Sequence, residues 1–294
     1  MIEFRSVTKQ FPDGTVAVNE FSFTLPSEKA TVFVGSSGCG KTTILRMINR
    51  MIEPTSGQIL IDGVDIQTQN KVELRRSIGY VLQAAGLLPH RKVLDNIATV
   101  PVLKGVPRAA ARSAALDLLD TVGLDRSLAD KYPRQLSGGQ QQRVGVARAL
   151  ASDPNILLMD EPFGAVDPIV RAELQLELNR LQRDLGKTIV FVTHDIDEAF
   201  TLADQVVIFK KGGIIAQAGT PAEILAHPAD EFVETFIGSD KGKRDLRLQK
   251  REGDNGLTLV VDKDGRPAGI LADSRDSEAG SSSPGAPVQG AAAS

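Results

Sequence analysis

The sequence feature that most constrains the fold is Gly35–Thr42, which reads GSSGCGKT and fits the pattern G-x-x-x-x-G-K-[ST] of a phosphate-binding loop. The β-prone apolar run Ala30–Val34 precedes it, and apolar residues at helical spacing follow over Thr42–Met51. Glycines let the main chain close around an anion, and the N–H groups of the helix start then face the phosphates. The alternative, a glycine-rich turn that binds nothing, leaves the flanking strand and helix unexplained.

Each position of this loop has a predicted part in nucleotide binding. Lys41 reaches the β- and γ-phosphates, and the Thr42 hydroxyl binds Mg²⁺. Cys39 is the only cysteine, so no disulfide forms within the chain, and we interpret it as a small filling residue rather than a redox switch. The predicted nucleotide-binding residues here are Gly35, Ser36, Ser37, Gly38, Cys39, Gly40, Lys41, Thr42 and Thr43.

Strand and helix patterns elsewhere predict an α/β fold with a parallel sheet covered by helices. Ile2–Phe11 and Val16–Leu25 alternate apolar and polar residues around a Pro-Asp-Gly turn, which predicts a β-hairpin. The apolar runs Asn155–Met159 and Thr188–Thr193 predict buried strands. The other predicted elements are helices at Arg108–Val122, Gln140–Leu150 and Ile169–Leu185, strands at Gln58–Ile61 and Ile78–Leu82, and a late hairpin over Gln205–Ala218.

Charge and hydropathy limit the partners of the chain. A net charge of −3 gives no reason to expect nucleic acid held by bulk charge. No run of about 18 apolar residues occurs, so we expect no membrane-spanning segment, although the chain can dock on a protein that has one. Ser, Gly, Ala and Pro dominate residues 273–294, which predicts a disordered tail.

The apolar strand Ile156–Met159 continues into two carboxylates, Asp160 and Glu161. Beside a phosphate loop, Asp160 can help to hold Mg²⁺, directly or through water. Glu161 is placed to orient or deprotonate an attacking water. A solvated strand end is the alternative for such a pair in isolation, and the phosphate loop in the same chain favours the catalytic interpretation.

The segment Leu136–Gln140, LSGGQ, places a hydroxyl and two glycines at the start of a predicted helix. Helix N-termini bind anions, and glycine lets a phosphate approach the backbone closely. The alternative is a plain helix start capped by Ser137. Because the chain already has one phosphate loop, a second anion site needs a separate explanation.

The motifs GSSGCGKT, LSGGQ and ILLMDEP together resemble the nucleotide-binding subunit of an ATP-binding-cassette (ABC) transporter, over roughly 1–238. The resemblance implies a P-loop NTPase core with a mixed sheet, an N-terminal antiparallel β subdomain and an inserted α-helical subdomain at about 84–150. It also implies that two copies sit head to tail. Ser137 and Gly139 of one copy would then bind the γ-phosphate of the ATP held by the other, with Gly138 and Gln140 in the same binding segment.

Four further positions match functional positions of that family. Phe11 stands where an aromatic ring, more often Tyr, stacks on adenine; a core phenylalanine is the alternative. Gln83 matches the glutamine that senses Mg²⁺ and the attacking water, with an ordinary strand-edge glutamine as the alternative. Asp167 matches the aspartate that communicates across the dimer, although Val166 replaces the usual Leu. His194 matches the switch histidine that contacts the γ-phosphate and positions the catalytic carboxylate, and a structural histidine is the alternative. The implied catalytic residues are Glu161, His194 and Gln83, and the implied metal-binding residues are Thr42, Gln83 and Asp160.

Three segments resemble the subfamily that imports quaternary-amine osmoprotectants such as glycine betaine, choline or carnitine: Asn49–Ser56, Gly86–His90 and Phe232–Asp240. This resemblance implies a peripheral ATPase at the cytoplasmic face of the membrane, bound to separate permease subunits and served indirectly by a solute-binding protein. The alternatives are an ABC ATPase for another small solute, an exporter, or a soluble ABC protein that acts on ribosomes or in DNA repair. A single cassette without a long coiled-coil insertion disfavours the last.

The region 239–272 is predicted to be a C-terminal extension. Within it, Gly256–Ala272 resembles one strand–turn–strand piece of a CBS module, with Asp264-Gly265 at the turn. The region is too short for a full pair of CBS modules. A vestigial hairpin that packs on the cassette or on its dimer mate is therefore the alternative to a regulatory module.

Overall fold

A computed structural model describes residues 1–83, 85–164, 168–238, 247–250, 258–261 and 267–270. Its contacts divide the chain into two units, Met1–Glu234 and Thr235–Ser294. None of the helices in the described residues combines the length and hydropathy needed to cross a membrane. The predicted tail at 273–294 and the predicted turn at Asp264-Gly265 lie outside the described residues.

The strands alternate with helices along most of the first unit. In chain order the strands are β1 (Ile2–Gln10), β2 (Val16–Leu25), β3 (Ala30–Gly35), β4 (Ser56–Ile61), β5 (Val64–Asp65), β6 (Ile78–Val81), β7 (Ile156–Asp160), β8 (Thr188–Thr193), β9 (Gln205–Lys210) and β10 (Ile214–Gly219). The helices are α1 (Lys41–Ile48), α2 (Lys71–Ser77), α3 (Val93–Ile97), α4 (Thr99–Leu103), α5 (Arg108–Thr121), α6 (Gly138–Leu150), α7 (Pro168–Leu185), α8 (Ile196–Leu202), α9 (Pro221–Ala226) and α10 (Glu231–Gly238).

A six-stranded sheet in the order β10-β9-β3-β8-β7-β6 forms the centre of the first unit. β9, β3, β8, β7 and β6 run parallel, and β10 adds to the edge as an antiparallel strand. β3, β7 and β8 are buried along their whole length, as expected for parallel strands covered on both faces. The predicted α/β fold with a mixed sheet is confirmed.

A second sheet in the order β2-β1-β4-β5 is antiparallel throughout. It contains the predicted hairpin, in which Ile2 pairs with Leu25 and Gln10 with Val16. One apolar core joins the two sheets through α1, whose inward side chains Ile44 and Leu45 are fully buried. This packing fixes the start of α1, and therefore the end of the loop that precedes it.

The segment between β6 and β7 is helical in its described residues. α3, α5 and α6 pack against one another there, in agreement with the inserted helical subdomain that the family resemblance implied. The predicted helix at Arg108–Val122 appears as α5, and Gly123 ends it with a φ of +65°. Two helices of this part, α5 and α6, were thus predicted from the sequence pattern, whereas α3 and α4 were not.

Two local predictions differ from the structure. The helix predicted to reach Met51 ends at Ile48, because Asn49 caps it and Arg50 has a φ of +56°; Met51 is exposed. α2 was not predicted. It is short, has only Leu74 buried, and is capped by Asn70, whose side chain accepts from two backbone N–H groups.

In the second unit the described strands form one antiparallel sheet in the order β11 (Arg247–Lys250), β12 (Thr258–Val261) and β13 (Pro267–Ile270). β12 and β13 pair with Leu259 opposite Ile270, at the place where the sequence predicted a strand–turn–strand piece. β11 adds a third strand that the sequence analysis did not predict. The likeness of this sheet to a CBS piece stays a prediction.

Candidate active site

The carboxyl ends of four adjacent parallel strands form the edge of the sheet where the predicted site residues lie. β3, β8, β7 and β6 are neighbours in that order, and each continues into a loop at this edge. Open α/β sheets bind ligands outside the carboxyl ends of their strands. We refer to Gly35–Thr43, Gln83, Asp160, Glu161 and His194 as the phosphate-loop cluster.

The loop after β3 surrounds the ammonium group of Lys41. Lys41 Nζ donates to the carbonyl oxygens of Gly35 at 2.7 Å and Ser36 at 3.0 Å, and lies 3.6 Å from Cys39 Sγ. The Cys39 side chain is fully buried and belongs to the apolar core. The loop therefore holds a cation at its centre and is anchored to the core by its cysteine.

Two glycines of this loop have backbone angles that other residues avoid. Gly38 has a φ of +76° and Gly40 a φ of +111°. A Cβ on Gly40 would lie 2.5 Å from the carbonyl oxygen of Ala17, whereas one on Gly38 would meet nothing within 4 Å. α1 begins directly after Gly40 without a side-chain cap. Its first N–H groups therefore need a partner that the helix itself does not supply, and an anion is such a partner.

A cavity of about 340 Å³ lies beside the loop. Phe11 lies in its wall, half-buried, with Lys9 Nζ 5.3 Å from the ring centroid. This position suits a ring that stacks on a planar base better than a ring that fills the core. The cavity is lined by Phe11, Thr15, Ala17, Ser37, Gly38, Gly40, Lys41, Thr42, Thr43 and Glu161.

Thr42 and Asp160 form a pair of oxygen ligands. Thr42 Oγ1 donates to Asp160 Oδ1 at 2.9 Å. Mg²⁺ prefers hard oxygen donors and is usually held by one or two protein ligands together with substrate phosphates. A hydroxyl and a carboxylate at the mouth of a phosphate loop are such a donor set, so the residues present fit Mg²⁺.

The other oxygen of Asp160 is also occupied. Arg46 Nη2 donates to Asp160 Oδ2 at 3.1 Å, and the Tyr80 hydroxyl donates to the same oxygen at 3.2 Å. The sequence analysis missed both residues. Arg46 is one helical turn after Thr42, and residues at this spacing share a face. That spacing was the available signal for Arg46, whereas Tyr80 could be placed only by the pairing of β6 with β7.

Gln83 and His194 converge on one oxygen of Glu161. Gln83 Nε2 donates to Glu161 Oε2 at 3.3 Å, and His194 Nδ1 lies 3.3 Å from the same atom. Glu161 has a φ of +44° and its N–H donates to the carbonyl of Val192 at 3.0 Å. Such a backbone costs a non-glycine residue roughly 1–2 kcal/mol. Strain of this kind concentrates at functional sites.

A buried carboxyl supports the turn that carries His194. Glu198 accepts hydrogen bonds from the Thr193 hydroxyl and from Gln175 Nε2, the latter at 3.3 Å. Burial raises the pKa of Glu198 above its usual value, and the hydrogen bond from Thr193 only partly opposes this. The sequence analysis did not single out Glu198, because an acidic residue in the first turn of a helix is ordinary.

The segment Leu136–Gln140, the Ser137 segment below, lies apart from the 340 Å³ cavity, whose lining contains none of its residues. Ser137 Oγ accepts from the Gln140 N–H at 3.2 Å, and Gln140 Oε1 accepts from the Ser137 N–H at 3.0 Å. This reciprocal cap is the plain helix start that the sequence left open. Ser137 and Gly138 are exposed, and Gly139 is buried. Asp167 lies outside the described residues.

Helix α6 ties the Ser137 segment to the loop of Gln83. Near the C-terminal end of the helix, Arg148 donates to the carbonyl of Gly86 at 2.7 Å and to that of Ala85 at 2.8 Å. Gln142 Nε2 lies 3.5 Å from the carbonyl of Leu82. Burial lowers the pKa of Arg148, and its charge is used to hold two carbonyls of a tight turn. The sequence offered no local signal for this contact.

A cavity of about 380 Å³ in the helical region is larger than the one beside the loop. It contains none of the phosphate-loop cluster, and its polar wall is mostly basic. We assign the chemistry to the smaller cavity, because the carboxylates, the hydroxyl and the lysine converge there. The larger cavity is lined by His90, Arg91, Lys92, Asp95, Ala98, Thr99, Val102, Arg108 and Tyr132.

Comparisons with known proteins agree with one another. The family model described as "ABC transporter" matches residues 18–164. The glycine betaine/carnitine/choline transport ATP-binding protein OpuCA of Bacillus subtilis is 53% identical over 267 residues, covering 90% of this chain and 70% of that protein. The choline transport ATP-binding protein OpuBA of the same organism is 52% identical over 241 residues, covering 82% of this chain and 63% of that protein. These relatives are therefore longer than this chain.

The fold also has a counterpart among solved structures. The dimeric structure of a post-hydrolysis state of the ATP-binding cassette MJ0796, bound to ADP and Pi, is 33% identical in sequence. The two share a TM-score of 0.67, over 75% of this chain and 99% of that one.

Proposed function

This chain belongs to the ABC transporter family, and we propose that it is the ATP-hydrolysing subunit that powers import of a small quaternary-amine osmoprotectant through a separate membrane permease. The observation that carries the proposal is the sheet edge at which Lys41, the Thr42–Asp160 pair and Glu161 meet beside one cavity. Every group that phosphoryl transfer to water requires from one subunit is present at this edge.

ATP binding follows from the loop and the cavity beside it. The adenine base stacks on Phe11, and the phosphates accept hydrogen bonds from the N–H groups at the start of α1. Lys41 exchanges its contacts to Gly35 and Ser36 for the β- and γ-phosphates. Mg²⁺, when bound, would neutralise charge on the phosphate oxygens, and Thr42 and Asp160 would hold it. Gln83, which contacts Glu161, is the third proposed metal-binding residue.

Hydrolysis requires a water aligned with the γ-phosphate. Glu161 is the general base, because its carboxylate lines the cavity and is fixed by a strained backbone and two neighbouring side chains. Gln83 and His194 orient that carboxylate, and His194 would also contact the γ-phosphate. Positioning and charge stabilisation supply most of the rate enhancement in phosphoryl transfer, so these contacts matter more than covalent help.

A second copy of the chain completes the site. Ser137 and Gly138 are exposed, and no residue of the Ser137 segment lines the cavity of its own chain, which supports a role on the nucleotide of a partner. Ser137 and Gly139 of that partner would bind the γ-phosphate, with Asp167 communicating across the interface. The cassette MJ0796, whose structure with ADP and Pi is dimeric, is a precedent for a dimer of a similar fold. Closure of the dimer then couples hydrolysis to movement of the permease.

Similarity to OpuCA and OpuBA supports a quaternary amine as the solute. The chain would work peripherally at the cytoplasmic face of the membrane, with permease subunits as direct partners and a solute-binding protein as an indirect one. Another small solute or an exporter is the second candidate within the family. A soluble role on ribosomes or in DNA repair is supported by no observation on this chain.

The substitution Glu161→Gln tests the mechanism. We expect ATP affinity within about threefold of wild type, hydrolysis lower by at least 10²–10³-fold, and accumulation of an ATP-bound dimer in size-exclusion chromatography. Glu73→Gln, at an exposed carboxylate on α2, is the matched control and should leave all three unchanged. Hydrolysis at the wild-type rate by Glu161→Gln would remove this residue from the role of base.

The solute is tested in a reconstituted complex with permease and binding protein. We expect glycine betaine, choline or carnitine to stimulate ATP hydrolysis several-fold, and the Glu161→Gln complex to give no response. A flat response to every quaternary amine would contradict the proposed substrate class. Recovery of ribosomes, and of no integral membrane protein, from detergent-solubilised membranes would contradict the transport role.

A further inference from the structure

Asp160 is contacted by more donors than its proposed role as a metal-binding residue requires. Thr42 occupies Oδ1, while Arg46 and Tyr80 both donate to Oδ2. The Asp160 side chain is 8% exposed, whereas that of Arg46 is 41% exposed. A carboxylate buried to this degree is costly unless a cation or several hydrogen bonds compensate its charge.

Arg46 supplies that compensation from a constrained position. It lies on α1, one turn after Thr42, so the two residues approach Asp160 from the same helix face. Its Nε is buried and has no hydrogen-bond partner among the described residues. Its guanidinium also interacts with the Tyr80 hydroxyl. An arginine that leaves one donor unsatisfied contributes to Asp160 mainly through its charge.

Tyr80 contacts the same oxygen without adding a charge. Its hydroxyl donates to Asp160 Oδ2 at 3.2 Å as a neutral group. Asp160 Oδ2 thus has one charged and one neutral partner, which can be removed separately.

Building on the proposed function, we infer that Arg46 is an internal counter-ion for Asp160 that competes with the divalent cation, and that Arg46 and Tyr80 position Asp160 so that Oδ1 faces Thr42. Because the guanidinium already compensates the carboxylate, a divalent cation gains less at this site than at an unpaired carboxylate, and it is repelled by the arginine. Arg46 therefore stabilises the metal-free chain and weakens metal binding. Release of the metal after turnover is favoured for the same reason.

If the Arg46–Asp160 ion pair had only a structural role, the effect of removing Arg46 would be different. If Arg46 only fastened α1 to β7, its removal would lower the thermal midpoint by the same amount with and without metal. If Arg46 competes with the cation, its removal destabilises the metal-free form more than the metal-bound form, because the cation replaces the missing charge. The two explanations are separated by thermal shifts and metal affinity, without any measurement of turnover.

The test uses the full chain with a non-hydrolysable ATP analogue and Mn²⁺ as the paramagnetic probe. For Arg46→Met, which keeps the aliphatic stem, we expect the Mn²⁺ Kd to tighten by about tenfold and the metal-free midpoint to fall more than the Mn²⁺-bound one. Arg46→Lys keeps the charge and should stay within about threefold of wild type. Tyr80→Phe removes no charge, so its Kd should change by less than about twofold, while both midpoints fall together.

An unchanged or weaker Mn²⁺ Kd in Arg46→Met would overturn the inference, as would equal falls of the two midpoints. Should Arg46→Met fail to fold, Arg46→Gln carries the same expectations. If the wild-type chain does not bind the analogue at all, the proposed function itself is wrong. A wild-type chain that binds Mn²⁺ and the analogue, together with an unresponsive Arg46→Met, contradicts only the role of Arg46.

Discussion

The phosphate-loop cluster and the Ser137 segment carry the two densest motifs of the sequence, but they are built in opposite ways. The cluster is anchored in the core: Cys39 is fully buried, and Lys41 is only 5% exposed. The Ser137 segment begins a helix at the surface, and the reciprocal cap between Ser137 and Gln140 closes within four residues. The core of the chain holds the phosphate-loop cluster in place, whereas the Ser137 segment exposes polar groups at the surface.

This difference fits the proposed division of the site between two chains. The residues proposed to hold ATP in one chain are fixed by the sheet edge and the core. The residues proposed to act on the nucleotide of a neighbour would need only a stable helix start. Changes in the phosphate-loop cluster should therefore affect folding and binding together, whereas changes in the Ser137 segment should separate stability from turnover.

The largest effect is expected from Gly40→Ala. The new Cβ would lie 2.5 Å from the carbonyl oxygen of Ala17, at a φ of +111°, so we expect a loss of about 3–5 kcal/mol in the free energy of unfolding. Gly38→Ala, at a φ of +76° with open space around it, should cost about 1–2 kcal/mol. Urea unfolding of the two variants measures both. Equal losses would mean that Gly40 does not pack closely against the carbonyl of Ala17.

Ser137→Asp should have the next largest effect, on turnover alone. Aspartate caps a helix as well as serine does, so stability should change by less than about 0.5 kcal/mol. Its carboxylate would oppose the γ-phosphate of the partner, and we expect ATP hydrolysis to fall by at least about 100-fold with ATP affinity intact. Ser137→Ala is the complementary control, because it removes the cap at a cost of about 1 kcal/mol. If Ser137→Asp hydrolyses ATP at the wild-type rate, the Ser137 segment acts only as the cap of helix α6.

The smallest effect is a pH dependence at Glu198. Because burial raises the pKa of Glu198 above 4.5, the folded chain binds this proton more tightly than the unfolded chain does. The associated stability is fully present below pH 4.5 and is lost as the pH rises through the raised pKa. Glutamine at position 198 does not titrate, so the stability of Glu198→Gln does not fall over this pH range. Its thermal midpoint relative to wild type should therefore increase with rising pH, by roughly 2–4 °C for each 1 kcal/mol. A difference independent of pH would contradict a raised pKa.

The sequence predicted the strands and the sheet edge because buried parallel strands and their loops leave strong local patterns. β3, β7 and β8 appeared as continuous apolar runs, and the glycines of Gly35–Thr42 marked the loop. The contacts that could not be predicted from the sequence join segments that are distant in the chain. Tyr80 reaches Asp160 only because β6 pairs with β7, and Arg148 reaches the carbonyls of Ala85 and Gly86 across 63 and 62 residues.

The contact of Arg148 makes helix α6 a physical connection between the loop after Gln83 and the Ser137 segment. The helix has 13 residues and is therefore about 20 Å long. It is clamped at one end to the loop that follows Gln83 and carries Ser137 at the other. The helix also packs along its length on α3, α5 and β6, so it connects these two ends as one rigid element. A displacement of the loop after Gln83 would therefore be transmitted to Ser137, about 20 Å away.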